Sequence, residues 1–185
     1  MSLFTGKGDN GTTKTFACDQ RISKSSAIAE ALGTLDEINS FLGLCKIKSL
    51  EHKFILPNGI SFAELVHNIQ QNLFIVQAEL AGAPKSITEE KVFESSELVN
   101  MIEKELPPIK TFFISGGTEL ASLFDVARTV SRRAERRVVA VSEEGKVKVS
   151  AQTLAYMNRL SSVLYALARL SNHKSGINEL KPTYK

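Results

Sequence analysis

Apolar residues recur at steps of three and four along four separate stretches of this chain, and that period makes packed amphipathic helices the fold to test first. Ile28, Ala31, Leu35, Ile38, Leu42 and Cys45 form the first stripe, and Phe62, Leu65, Ile69, Leu73, Val76 and Leu80 the second. Leu120, Leu123, Ala127, Val130, Ala134, Val138 and Val141 form another, and Leu154, Met157, Leu160, Leu164 and Leu167 the last. Between the second and third stripes, Ser86-Ile-Thr-Glu89 reads as a capping box that opens a further helix, which Pro107-Pro108 must stop. The helix after Gly116-Gly117 takes Thr118 as its N-cap and runs out at Glu143-Glu144-Gly145, and the final one spans about Ser150 to Asn172. Ser23 or Ser25 is placed to cap the first. Lys110–Ser115 and Lys146–Ser150 are too short for convincing strands and read as extended lead-ins. The expected fold is all-α: a five-helix up-and-down bundle with a Gly-rich N-terminal segment. Its expected parts are a phosphate-binding segment over 1–24, the bundle over 25–172 and a tail over 173–185.

A chain of 185 residues with 43% hydrophobic content can bury a real core. Its formal net charge of +3 is too mild to argue for a nucleic-acid surface. Cys18 and Cys45 lack metal-ligand spacing, and His52, His67 and His173 form no zinc signature. The N-terminus carries no leader pattern and no apolar run reaches bilayer length, so the expected setting is cytoplasmic, away from any membrane.

Positive charge is concentrated in Arg128-Thr-Val-Ser-Arg132-Arg133-Ala-Glu135-Arg136-Arg137. Arg128, Arg132, Glu135 and Arg136 share one helical face beside the apolar stripe, and a cationic row there calls for a polyanion or for carboxylate partners. A second phosphate-friendly element is Thr5-Gly6-Lys7-Gly8-Asp9-Asn10-Gly11-Thr12-Thr13-Lys14. Its glycines let backbone N–H groups approach an anion, its lysines add charge, and Asp9 can hold a divalent cation that bridges phosphates. On its own this segment matches neither a Walker nor a Rossmann pattern. Arg159 and Arg169 read as solvated or ion-paired.

In order along the chain, Thr5-x-x-Gly8-Asp9-x-Gly11, Arg21-x-Ser-Lys24, Glu30-x-x-Gly33-Thr34-x-Asp36-Glu37-x-Asn39-x-x-x-Gly43, Phe112-x-x-x-Gly116-Gly117, Ala127-Arg128-Thr129, Arg132-Arg133-Ala134-Glu135-Arg136 and Tyr156-Met157-Asn158-Arg159-Leu160-Ser161 resemble the ATP:cob(I)alamin adenosyltransferases of the propanediol-utilisation type. The resemblance implies transfer of the 5′-deoxyadenosyl group of ATP to the cobalt of reduced cobalamin, with triphosphate leaving. It implies a homotrimer with each active site between subunits, Mg²⁺ at the phosphates and a flavin-dependent reductase as a partner. By that resemblance Thr5, Gly6, Lys7, Gly8, Thr13, Lys14 and Lys24 hold the ATP phosphates. Arg132, Arg133, Ala134, Glu135, Arg136 and Asn158 complete the nucleotide site. Asp36 pairs across the interface with Arg128, and Phe112, with Phe113 as its neighbour, presses on the lower face of the corrin. Arg128, Arg132, Asp36 and Phe112 form the implied catalytic set. The chain departs from the family pattern at Ser115, where proline is usual, and at Phe124-Asp125, where Leu-His is common; Asp125 lies three residues before Arg128 and competes for it.

Overall fold

The computed structural model describes residues 4–15 and 20–184; Cys18 lies outside them. Five helices follow a short N-terminal hairpin: α1 (Ala27–His52), α2 (Phe62–Leu80), α3 (Glu89–Glu105), α4 (Glu119–Glu144) and α5 (Ala151–Lys174). Every stripe predicted above faces inward. Leu35, Ile38 and Leu42 of α1, Leu73 and Val76 of α2, Leu120 and Val138 of α4, and Met157, Leu164 and Leu167 of α5 are fully buried in one cluster. Helix α4 lies between α1 and α5, α2 flanks α1, and α3 flanks α5. Ion pairs at both ends show α1 and α4 antiparallel: Lys48–Glu119 at 2.9 Å and Arg137–Glu30 at 3.4 Å.

The helix starts follow capping chemistry, with two corrections to the sequence reading. Ser26, rather than Ser23 or Ser25, caps α1: its hydroxyl accepts from Ala29 N at 3.4 Å and donates to Ser23 O at 2.7 Å. Ser23 and Ser25 are occupied with each other, their hydroxyls 2.8 Å apart. Helix α3 is capped by Thr88 instead of Ser86, because Ile87 is drawn into the core and leaves Thr88 at the turn, accepting from Lys91 N. Ile87 before the cap and Val92 four residues into the helix both pack on the core, the arrangement of a hydrophobic staple. Thr118 caps α4 as expected, Ser150 caps α5 at the expected start of that helix, and Gly145 ends α4 with a φ of +67°, which favours glycine.

The two suspected lead-ins are not strands. The extended pairing lies instead in the N-terminal segment, where β1 (Thr12–Thr13) meets β2 (Ile22–Ser23) antiparallel. No helix among the described residues is long and apolar enough to cross a membrane.

Candidate active site

The two faces of α4 part the arginine row. At 100° per residue, Arg133 and Arg137 point together toward α1, where Arg133 pairs with Glu37 and Arg137 with Glu30. Arg132 and Arg136 point away from α1, and Arg136 donates to Arg132 O at 3.1 Å. The Arg132 guanidinium is exposed and makes no ion pair or hydrogen bond among the described residues. Beside it, Glu135 accepts from Asn158 Nδ2 at 3.0 Å, Asn158 Oδ1 accepts from Arg159 at 2.9 Å, and Arg159 Nε donates to Ser96 Oγ at 3.2 Å. That chain of polar contacts ties α4, α5 and α3 together next to Arg132. Arg159, read from the sequence as solvated or ion-paired, is exposed and hydrogen-bonded to Asn158 and Ser96 rather than paired with a carboxylate.

Arg128 and Arg132 open into a cavity of about 390 Å³ between α4, α5 and the loop before α4. Phe112, Phe113, Asp125, Tyr165 and Arg169 are among the residues that line it with them. Arg128 Nε reaches Asp125 Oδ1 at 3.1 Å, so the competition foreseen for that arginine is realised within the chain. Its guanidinium also stands 5.7 Å above the Tyr165 ring. Burial raises the Tyr165 hydroxyl above its ordinary pKa; Glu179 and Asp125 add to that rise, and Arg169 and Arg128 oppose it.

The two phenylalanines divide. Phe113 is half-buried with Arg169 stacked 5.1 Å from its centroid, whereas Phe112 is 78% exposed. A large apolar ring turned into water at a cavity mouth is the kind of exposure that marks a ligand surface. Phe124, by contrast, is fully buried against Phe62, so this departure from the family pattern changes the core rather than the cavity wall.

The N-terminal segment folds back on itself. Asp9 N donates to Gly6 O at 3.2 Å and Gly11 N to Gly8 O at 3.1 Å, with positive φ at Gly6 and Gly11. Lys24 N donates to Gly11 O at 2.9 Å, and a side chain on Gly8 would crowd the Lys24 ammonium. Arg21 clamps the turn through Thr12, 2.6 Å to the hydroxyl and 2.7 Å to the carbonyl. Lys24 thus joins the glycine turn that holds Thr5, Gly6, Lys7, Gly8, Thr13 and Lys14. Among the described residues, no hydrogen bond or ion pair joins this turn to Arg132, nor Asp36 to Arg128. Asp36 is exposed on α1, beside an open apolar groove with Leu32, Phe74 and Ala78.

Sequence reading missed three residues of this site. Arg169 is only 4% exposed on the packed side of α5, and a charge at such a position was the available signal. Tyr165 and Glu179 carried none.

Comparison with known proteins agrees with this geometry. The sequence model of the cobalamin adenosyltransferase family matches residues 3–171, and the chain belongs to that family. It is 39% identical to the corrinoid adenosyltransferase PduO of Citrobacter freundii over 97% of this chain and 52% of that protein. It is 36% identical to a corrinoid adenosyltransferase of Bacillus subtilis over 98% of this chain and 92% of the relative. The chain spans about half the length of the PduO relatives it matches. Its fold superposes with a TM-score of 0.85 and 28% identity on a variant PduO-type ATP:corrinoid adenosyltransferase from Lactobacillus reuteri complexed with cobalamin and ATP, covering 98% of this chain and 99% of that one.

Proposed function

We propose that this protein transfers the 5′-deoxyadenosyl group of ATP to the cobalt of cob(I)alamin, releasing triphosphate. The observation that carries the reading is the meeting of exposed Phe112, Arg128 and unpartnered Arg132 at one cavity mouth. Family membership and the ATP- and cobalamin-bound structural neighbour support it.

Cob(I)alamin is itself a strong nucleophile. Its attack on C5′ forms the Co–C bond while the C5′–O bond to triphosphate breaks, and the electron pair leaves with the phosphate oxygen. No general base is needed, so the protein acts by alignment and by neutralising the departing anion. Arg132 supplies the fork that grips phosphate oxygens, with Ala134, Glu135, Arg136 and Asn158 nearby, and Arg133 joins the nucleotide site only by leaving Glu37. Thr5, Gly6, Lys7, Gly8, Thr13, Lys14 and Lys24 wrap the rest of the chain of phosphates. Phe112, with Phe113 behind it, replaces the lower axial base with an apolar face, which leaves cobalt four-coordinate and easier to reduce. A flavin-dependent reductase in the cytoplasm would deliver the electron.

Magnesium would arrive with the triphosphate. No cluster of three or more His, Cys, Asp or Glu occurs among the described residues, and Mg²⁺ in nucleotide sites keeps phosphate oxygens and water as most of its ligands. Asp9, set into the glycine turn, is the carboxylate the segment offers it.

The assembly proposed is a homotrimer. One chain keeps the glycine turn bonded within itself and Asp36 without Arg128, and a neighbouring copy supplies the missing halves: its turn to Arg132, its Asp36 to Arg128. Incubation with ATP and chemically reduced cobalamin tests the reaction. Appearance of the absorption spectrum of a Co–C bond is expected, and binding of both substrates without that change would make the protein a carrier instead.

A further inference from the structure

The loop that carries Phe112, residues 107–118, forms no helix or strand, yet it is fastened at five points to the C-terminal part of the chain. Arg169 Nη2 donates to Pro107 O at 3.1 Å and its guanidinium stacks on Phe113. Ile114 N donates to Leu180 O at 2.8 Å. Asn172 Nδ2 donates to Gly116 O at 2.8 Å, and Asn172 Oδ1 accepts from Thr118 N at 2.9 Å. Gly117 sits at a φ of +103° with the Asn172 amide against its Cα, a place with no room for a side chain.

Arg169 is the centre of this fastening. Its Nε and Nη2 both reach Glu179 Oε2 at 2.9 Å, a carboxylate on the segment after α5. A guanidinium this deeply buried must have its donors satisfied, and here the fork, the Pro107 carbonyl and the Phe113 face use it from three directions. Each partner therefore fixes the others. With Phe113 trapped under Arg169, the adjacent Phe112 side chain is left turned outward over the cavity.

We propose that Arg169 and Glu179 are positioning residues for the corrinoid half of the reaction: their ion pair locks Phe113 and so sets the direction and stiffness of Phe112. The inference rests on the reading of Phe112 given above. Glu179 lies beyond residues 3–171, where the family model matches.

Two variants test it. Glu179→Gln keeps the tail's size and its backbone bond to Ile114 while removing the charge, and Arg169→Lys keeps the charge while removing the fork and the flat stacking surface. For either, kcat/KM for cob(I)alamin is expected to fall about tenfold, while KM for ATP stays within about twofold, because a small misplacement of a positioning group is felt only where that group acts. The chain has no tryptophan, so Phe112→Trp supplies a single indole on the loop that can be excited apart from the three tyrosines. Its steady-state anisotropy should drop when Glu179→Gln is added, without a matching drop in the melting temperature. Unchanged anisotropy together with an unchanged corrinoid kcat/KM would overturn the clamp. So would equal losses for ATP and corrinoid accompanied by a lower melting temperature, which would mean general loosening. If the unaltered protein catalyses no transfer, the proposed reaction falls, and the anisotropy arm alone then decides on the clamp.

Discussion

One helix presents arginines to two neighbours with opposite results. On the α1 side of α4, Arg133 and Arg137 each meet a glutamate, and the pairs stitch two antiparallel helices. On the far side, Arg132 carries the same charge with no partner among the described residues, while Arg128 is held by Asp125 at the wall of a cavity. Exposed pairs of the first kind stabilise by at most about 1 kcal/mol each. Arg132, without such a partner, adds no ion pair to the fold and is free to meet an anion. The row is thus two devices on one helix, and only the arrangement of neighbouring carboxylates tells them apart.

The largest effect that can break this division is Arg132→Ala. Removal of one preorganised donor for developing anionic charge costs about 10²–10³-fold in rate, and kcat/KM should fall by that amount with the melting curve unmoved. A fall of less than about fivefold would show that the open face is not the working one. Asp36→Ala comes next. If Asp36 of one copy meets Arg128 of another, its removal leaves Arg128 with Asp125 alone, so the cost should fall below the about 3–5 kcal/mol of a stranded buried charge while still lowering activity and weakening the trimer in sedimentation. A variant with the sedimentation profile and kinetics of the unaltered protein would assign Arg128 to Asp125 alone.

Much of this was legible in the residues. The steps of three and four located the helices because burial of one face imposes that period whatever the neighbours are. Arg132 and Phe112 were legible through motifs resembling the family. Which arginine is spoken for was not, because Glu30 and Glu37 lie about a hundred residues away and only the α1–α4 register brings them opposite Arg137 and Arg133. Helix starts slipped where several hydroxyls stood in a row: Ser23, Ser25 and Ser26 all suit a cap, and tertiary burial of Ile28 and Ala31 chose among them. The Arg169–Glu179 clamp escaped because an arginine on the packed side of α5 signals a partner without naming it, and only the return of the tail past α5 brings Glu179 to it.

A third measurement asks whether the α1 side is as purely structural as its ion pairs suggest. Cys45, on the core face of α1, has its thiol pushed up to about 12 by burial, against an ordinary value of 9.0. The folded state therefore holds that proton more tightly than the unfolded one. The resulting stability is complete below pH 9.0 and is lost as pH climbs toward 12, at about 1.4 kcal/mol per unit. Cys45→Ala lacks this contribution, so the stability gap between the two proteins in urea titrations should narrow over that window. A constant gap would mean that α1 loosens before the thiol ionises.

The smallest expected effect sharpens the comparison most. Arg133→Ala deletes a partner of Glu37 at a site where both side chains are about half exposed, 45% and 52%. Stability should drop by no more than about 1 kcal/mol, and less in high salt, since water and ions screen such a pair. The informative number is KM for ATP in the same variant. If Arg133 serves chiefly to join α1 to α4, that KM rises far less than in Arg132→Ala. If it rises as much, the Glu37 contact is only where Arg133 rests before a nucleotide arrives, and α4 then spends both of its arginine faces on phosphate.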